Sequence, residues 1–216
     1  MSGIRVAIVG AGGHAVVVAD ALLSAGLQID CFLETDDAKV GTMLRGLPVV
    51  HQNRLSTLGS AAERRLANGI GGGRNTRARR AVQEGLEGEG WPFLTVRHPT
   101  AIISADAHID EGAHLLAGSI VQSGAHIGRG AILNTGSIVE HDCRIGAWTH
   151  IAPGAVVCGD VVVGEGSLIG AGSVIIQGLA IGGNSLIGAG AAVVRNFEGN
   201  GTLCGVPARP VGNRSE

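Results

Sequence analysis

The strongest constraint in the sequence is a six-residue period: from Ile103 to Val193, every sixth residue is aliphatic. No polar residue interrupts the series, which consists of Ile103, Ile109, Leu115, Val121, Ile127, Leu133, Val139, Ile145, Ile151, Val157, Val163, Ile169, Ile175, Ile181, Ile187 and Val193. A small side chain follows most of these residues four positions later, with Val161 and Leu179 as the bulkier exceptions. A period this regular is typical of a solenoid, in which each unit buries its apolar residue only by stacking on its neighbours.

Glycine is the second sign of a repeat, because the chain has 37 Gly but no Tyr and only three Phe. It directly follows the aliphatic residue at Gly128, Gly146, Gly164, Gly170, Gly182 and Gly188. Since glycine tolerates positive φ, we expect these six glycines to form tight corners between short strands. Three six-residue units then close one triangular coil of 18 residues, and the repeat makes roughly five coils.

The first hundred residues have a different pattern, in which apolar strands alternate with helical segments. We predict strands at Ile4–Val9 and Ile29–Leu33, a glycine turn at Gly10–His14, helices at 15–25, 54–67 and 75–87, and strands near Val49, Gly69 and Phe93. This alternation is typical of a small doubly wound α/β domain. The sequence therefore predicts two domains, at residues 1–97 and 98–216.

Composition narrows the class of partner. The 16 Lys and Arg residues nearly balance 18 acidic residues, so the net charge of −2 gives no electrostatic case for binding nucleic acid. No apolar run approaches the about 18 residues of a membrane-spanning helix, and the first residues lack the apolar core of a signal peptide. The four cysteines form no CxxC pair. We therefore expect a cytoplasmic protein that acts on small molecules, without nucleic acid or membrane partners.

Several motifs spread over nearly the whole chain resemble one family. They are Gly10-Ala11-Gly12-Gly13-His14, Phe32-Leu33-Glu34, His98-Pro99, Asn134-Thr135, Glu140-His141-Asp142-Cys143, His150-Ile151 and Gly205-Val206-Pro207-Ala208-Arg209. The chain resembles the sialic acid O-acetyltransferase-like and the bacillosamine- or perosamine-type N-acetyltransferase-like enzymes. The resemblance implies an α/β Rossmann-like N-terminal domain that binds a nucleotide sugar, followed by an all-β left-handed parallel β-helix. It also implies acetyl-CoA as cosubstrate and a homotrimer with active sites between subunits.

His141 is the candidate general base, because it lies on a predicted corner and Asp142 follows it directly. A carboxylate beside an imidazole can hold it in one tautomer and stabilise its protonated form. In the resembled family the matching histidine is the base, and the next acidic residue supports it. The resemblance implies substrate binding by Gly12, Gly13, His14, Glu34, Asn134 and His150. It implies cofactor binding by Gly159, Ala171, Gly172, Gly188, Pro207 and Arg209, with the Gly159 N–H approaching the thioester oxygen.

Four other histidines, His108, His114, His126 and His150, each precede an inward aliphatic residue. Strand alternation should point them outward, and His108 and His126 lie one coil apart. A zinc enzyme like the γ-type carbonic anhydrases is an alternative, because those enzymes use the same β-helix with three histidine ligands. They carry an H-x4-H pair, which this chain lacks, so we expect no metal.

The function predicted from the sequence is N-acetylation of a nucleotide-linked amino sugar, by direct attack of the amine on acetyl-CoA with His141 as base. O-acetylation of a sialic-acid-like sugar would use the same machinery on a hydroxyl and stays open. The family usually carries Asp after the second strand and Asn or Asp after the fourth. This chain has Glu34-Thr35 and Gly71-Gly72-Gly73 there, which leaves the identity of the nucleotide base open. The sequence does not identify the sugar either.

Overall fold

The structure is a computed structural model that describes residues 5–73 and 76–212. Its contacts separate two compact units, residues 1–71 with 77–99 and residues 72–76 with 100–216. Between Gly71 and Arg77, the described residues Gly72, Gly73 and Thr76 group with the second unit. The division into functional domains at residue 97 stays a prediction. Ile4 and Asn75, where a strand and a helix are predicted to begin, lie outside the described residues.

The first unit is an α/β layer built on a five-stranded sheet of order β3-β4-β2-β1-β5, parallel except for the β3–β4 pair. Its strands are β1 (Arg5–Val9), β2 (Gln28–Glu34), β3 (Met43–Leu44), β4 (Leu47–His51), β5 (Arg64–Asn68) and the short β6 (Val96–Arg97). Its helices are α1 (Gly13–Ser24), α2 (Arg77–Gly88) and a 3-10 turn at Gln52–Leu58. The predicted Rossmann-like fold is confirmed.

The helix predicted over residues 54–67 is wrong. The segment instead forms the 3-10 turn and then strand β5, which pairs in parallel with the buried strand β1. Arg64 is buried at the start of β5, where its guanidinium pairs with Asp30 at 2.7 Å. Sheet hydrogen bonds and burial outweigh the weak helix preference of an Arg- and Ala-containing segment.

The second unit is a parallel β-helix of two-residue strands followed by a hairpin. The strands are β7 (Ile102–Ile103), β8 (His108–Ile109), β9 (His114–Leu115), β10 (Ile120–Val121), β11 (His126–Ile127), β12 (Ile132–Leu133), β13 (Ile138–Val139), β14 (Arg144–Ile145), β15 (His150–Ile151), β16 (Val156–Val157), β17 (Val162–Val163), β18 (Leu168–Ile169), β19 (Val174–Ile175), β20 (Ala180–Ile181), β21 (Leu186–Ile187), β22 (Ala192–Val193), β23 (Thr202–Cys204) and β24 (Arg209–Val211). Each strand pairs in parallel with the strand three further along the chain. For example, β10 pairs with β13, and Ile120 lies beside Ile138, 18 residues later.

The strands of the second unit form three faces. The first face has the order β22-β19-β16-β13-β10-β7, the second β20-β17-β14-β11-β8, and the third includes β24-β23-β21-β18-β15-β12-β9. The aliphatic residue of the six-residue period points inward, and residues such as Ile127, Leu133 and Val139 have no exposed surface. The small residue four positions later, such as Ala113 or Ala131, fills the corners of this core. The predicted solenoid is confirmed.

The prediction that the six glycines after the aliphatic residues adopt positive φ is wrong. Positive φ occurs three residues after the aliphatic position, as at Gly136 and Asp142, and at none of the six glycines that directly follow it. Those six allow the coils to approach each other. A Cβ on Gly128 would lie 2.7 Å from the carbonyl oxygen of Ile145, and one on Gly146 would lie 2.5 Å from the N atom of Glu165. Contacts that short leave no room for a side chain.

Candidate active site

His141 and Asp142 lie on the corner between β13 and β14, and the structure joins them by a hydrogen bond. Nδ1 of His141 is 2.9 Å from Oδ2 of Asp142, and both side chains are more than half exposed. Asp142 has φ of 59°, a left-handed conformation that Asp adopts more readily than most residues. The predicted catalytic pair is therefore formed on an open corner of the β-helix.

Two glycines make room for this pair, each one coil away. A Cβ on Gly159, 18 residues after His141, would lie 2.6 Å from Cε1 of the imidazole. A Cβ on Gly124, 18 residues before Asp142, would lie 2.6 Å from Oδ1 of the carboxylate. Gly124 was not identified as a site residue from the sequence. Its position 18 residues, or one coil, before Asp142 is the signal that could have identified it. The pair is held between two positions that have no side chain.

The charge around His141 favours its protonated form. The hydrogen bond to Asp142 raises the pKa of His141 above its ordinary value, and the nearby charges of Glu140 and Asp160 raise it further. Asp160 also donates its N–H to the carbonyl oxygen of His141 at 2.9 Å. If Asp142 accepts the proton on Nδ1, Nε2 is the nitrogen with a lone pair. The site can therefore take up a proton at Nε2 and stabilise the resulting imidazolium.

Asn134 and His150 form a second hydrogen-bonded pair. The N–H of Thr135 donates to Oδ1 of Asn134 at 2.8 Å, so the amide nitrogen of Asn134 faces Nε2 of His150 at 3.0 Å. Nε2 then accepts, and Nδ1 donates to the carbonyl oxygen of Gly72 at 2.5 Å. This chain of donors and acceptors assigns His150 a neutral form with the proton on Nδ1.

His114 and His150 differ from the expectation of outward, solvated histidines, because both are buried. A side chain that points away from the β-helix core is exposed only if no other segment covers it. His150 is covered by Gly72, on which a Cβ would lie 2.8 Å from Nδ1. His108 is exposed and His126 partly so, as expected.

The predicted substrate residues of the first unit share one cleft of about 470 Å³. Gly12, Gly13, His14 and Glu34 all line it. Helix α1 begins at Gly13, Gly12 provides no side-chain cap, and an added Cβ at either glycine would meet no described atom within 4 Å. The N-terminus of a helix favours an anion such as phosphate.

Glu34 holds the glycine turn in place. Its carboxylate accepts hydrogen bonds from the N–H groups of Ala11, Thr35 and Asp36, and from Nζ of Lys39. Burial raises the pKa of Glu34, but the three backbone hydrogen bonds and Lys39 outweigh it and keep the pKa below its ordinary value. Four donors occupy the roughly four acceptor positions of a carboxylate. The structure thus gives Glu34 a positioning role, and its direct contact with substrate stays a prediction.

The predicted cofactor residues all lie in the second unit. None of the residues that the structure describes accepts a hydrogen bond from the Gly159 N–H. The N–H of Gly188 donates to the carbonyl oxygen of Leu203 at 2.8 Å, so it is not available to a ligand. Ala171 and Gly172 form an exposed corner after β18. Pro207 is exposed just before β24, and Arg209 is the exposed first residue of that strand. Of this set, Gly159 is the residue that the structure places against the predicted catalytic pair.

Comparisons with known proteins cover both units. The profile of the PglD N-terminal domain family matches residues 5–86, and that of the bacterial transferase hexapeptide (six repeats) matches residues 124–159. No curated protein sequence matches significantly. Within the described residues, no helix has the length and apolar character needed to cross a membrane.

Solved structures match almost end to end. The acetyltransferase domain of PglB from Neisseria gonorrhoeae FA1090, in complex with acetyl coenzyme A, is 34% identical, with coverage of 97% of this chain and 100% of that chain and a TM-score of 0.89. PerB from Caulobacter crescentus, in complex with CoA and GDP-perosamine, is 34% identical over 96% of this chain and 97% of that chain, with a TM-score of 0.88. WeeI from Acinetobacter baumannii AYE is 29% identical over 96% and 99%, with a TM-score of 0.85.

The α/β unit and the hexapeptide-repeat β-helix, with the solved structures that match both, identify the chain as an acyltransferase. The first unit narrows this class, because its family profile and the solved structures agree on the complete architecture. The chain belongs to the family of hexapeptide-repeat sugar acetyltransferases with a PglD N-terminal domain.

Proposed function

We propose that this protein transfers the acetyl group of acetyl-CoA to the amino group of a nucleotide-linked amino sugar. The observation that carries the proposal is the 2.9 Å hydrogen bond between Nδ1 of His141 and Asp142, which leaves Nε2 to act as general base. The relatives support the two substrates, since PglB is described with acetyl coenzyme A and PerB with CoA and GDP-perosamine.

The proposed reaction needs one base and no covalent enzyme intermediate. The sugar amine attacks the thioester carbonyl carbon, and Nε2 of His141 takes the proton that the attacking nitrogen loses. The C–S bond then breaks, the amide forms, and the CoA thiolate takes the proton back from the imidazolium of His141. Asp142 stabilises that imidazolium while it exists, which is the role its hydrogen bond to Nδ1 supports.

Gly159 is the proposed donor to the developing oxyanion. Its N–H has no acceptor among the residues that the structure describes, and its α-carbon lies against the His141 ring. A backbone donor aimed at the thioester oxygen stabilises negative charge where it develops. We further propose that Ala171, Gly172 and the segment around Pro207 and Arg209 bind CoA, with the guanidinium of Arg209 available to a phosphate. Because its N–H is occupied, Gly188 would contact CoA only by close packing.

The first unit is proposed to bind the nucleotide. The glycine turn at Gly12 and Gly13 borders open space at the start of α1, where a diphosphate would meet N–H groups and the positive end of the helix dipole. His14 lines the same cleft, and Glu34 fixes the turn. Asn134 and His150 remain proposed substrate residues of the β-helix, where they would orient the sugar.

We also propose a homotrimer with active sites between subunits, an assembly that hexapeptide repeats favour. Analytical ultracentrifugation of the purified chain tests this directly, because a trimer and a monomer differ threefold in mass. The cytoplasmic location expected from the sequence stays a prediction.

The test of the reaction is a thiol-release assay with acetyl-CoA and a panel of UDP-, GDP- and dTDP-linked 3-amino and 4-amino sugars, with free sialic acid as a further acceptor. Release with one nucleotide-linked amino sugar, lost in His141→Ala, would support the proposal and identify the nucleotide. Release with sialic acid alone would replace it with O-acetylation. If calorimetry shows that the protein binds CoA but no acceptor in the panel gives thiol release, the proposed acceptor class is rejected.

A further inference from the structure

Three side chains on the second face of the β-helix converge outside the proposed catalytic site. Nε2 of His108 lies 3.0 Å from Oδ1 of Asp110, and Nε2 of His126 lies 3.1 Å from Oδ2 of the same carboxylate. His108 and His126 face each other in register on the paired strands β8 and β11, with ring centroids 4.8 Å apart. One donor atom from each residue lies within 4.8 Å of the others.

The donor set suits a divalent transition-metal ion. Imidazole nitrogen and carboxylate oxygen bind Zn²⁺ at about 2.0–2.2 Å, which places two donors of a tetrahedral site about 3.4 Å apart. The His108–Asp110 and His126–Asp110 distances of 3.0 and 3.1 Å are close to that separation. The side chains are 71%, 32% and 40% exposed for His108, Asp110 and His126, so an ion can enter and keep a water ligand.

The repeat confines this arrangement to the first two coils. Along the second face, the place of His108 and His126 is taken by Arg144, then Val162, then Ala180. Arg144 brings a positive charge, and the other two have no ligand atom. A cation would therefore bind between β8 and β11 only.

We propose that His108, Asp110 and His126 bind one Zn²⁺ ion, which links the first two coils of the β-helix. His108 and Asp110 belong to the coil of β8, and His126 lies on β11 in the next coil. The ion would therefore connect residues 18 positions apart, such as His108 and His126. This site is separate from the proposed acetyl-transfer machinery, since none of its ligands belongs to that machinery. Its role is to stabilise the β-helix.

Calorimetric titration of ZnCl2 into tag-free protein freed of metal by chelation tests the proposal. We expect one ion per chain and a higher unfolding temperature with Zn²⁺, because an ion that binds only the folded state stabilises it. Co²⁺ should give the visible absorption of a site with nitrogen and oxygen ligands. The assay contains neither CoA nor sugar, so its result does not depend on the acetyl-transfer proposal.

Two variants locate the ion. His126→Ala and Asp110→Asn should each weaken Zn²⁺ binding by about tenfold or more, since even residues behind the ligands alter affinity by that factor. His51→Asn is the matched control, because it removes a histidine that also lies near a carboxylate, 3.9 Å from Asp37, and Asn can still cap the 3-10 turn. No binding by the native protein, or equal binding by all three variants, would leave a hydrogen-bonded cluster and overturn the proposal.

Discussion

The imidazole of His141 occupies the space that a side chain at Gly159 would fill. The two residues are 18 positions apart, so they lie on neighbouring coils, and a Cβ on Gly159 would lie 2.6 Å from Cε1 of the ring. Gly159 is not among the glycines with positive φ, so its backbone accepts alanine without strain. The need for glycine here is therefore steric and concerns the orientation of His141.

Gly159→Ala should fold normally and lower kcat by about 100-fold, because the added methyl group displaces the ring by a distance to which catalytic geometry is sensitive. The thiol-release assay measures kcat, and thermal unfolding checks the fold. Gly85→Ala is the control, since a Cβ there meets no described atom within 4 Å. Unchanged kcat in Gly159→Ala would show that the position of the ring is not critical.

His141→Ala should lower kcat by at least about 100-fold with the fold intact, because positioned proton transfer typically contributes that much. Asp142→Asn should lower it less, since it alters the orientation and charge of the base but leaves the base in place. Steady-state kinetics with saturating acetyl-CoA measure both. A fully active His141→Ala enzyme would remove His141 from its proposed role.

The proposed role of His141 as general base requires its neutral imidazole, so kcat/KM should rise with pH. Asp142, Glu140 and Asp160 raise the pKa of His141, so the inflection of kcat/KM should lie above the ordinary histidine value of about 6.5. Asp142→Asn removes the largest cause and should move the inflection to lower pH. Titration of the sugar amine would leave the inflection unmoved in this variant, which separates the two groups.

Gly146→Ala should destabilise the β-helix by about 1–3 kcal/mol, the usual range for overpacking, because its Cβ would lie 2.5 Å from the backbone of the next coil. Gly136→Asn is the matched comparison. Gly136 has φ of 64° and no described atom near its Cβ, and Asn tolerates the left-handed region. Chemical denaturation should show a much smaller loss for Gly136→Asn. Equal losses would contradict the steric explanation.

The period made much of the β-helix predictable. It identifies the buried residues, and with them the stacking of any residue on the one 18 positions later, such as His108 under His126. The prediction about metal ligands rested on the H-x4-H spacing of histidines. That spacing does not consider a carboxylate, so it did not identify Asp110 as the partner of both histidines. The burial of His150 could not be predicted, since Gly72, which covers it, lies 78 residues away and outside the repeat.

The first unit was less predictable. Strand β5 has no strong strand pattern, and its conformation depends on pairing with β1. The positioning role of Glu34 could not be predicted either. Its carboxylate is held by four donors, which come from the glycine turn, its own loop and Lys39. A single sequence shows the type of side chain but not which backbone groups will surround it.

Paired residues of neighbouring coils lie 18 positions apart, and this spacing limits where residues can be inserted into the β-helix. Inserting a whole coil before residue 124 or after residue 160 keeps Gly124, His141, Asp142 and Gly159 in the same mutual positions. Inserting six residues between His141 and Gly159 would move Gly159 to a different corner and separate the two. The proposed arrangement of these four residues therefore tolerates whole-coil insertions only outside the segment from Gly124 to Gly159.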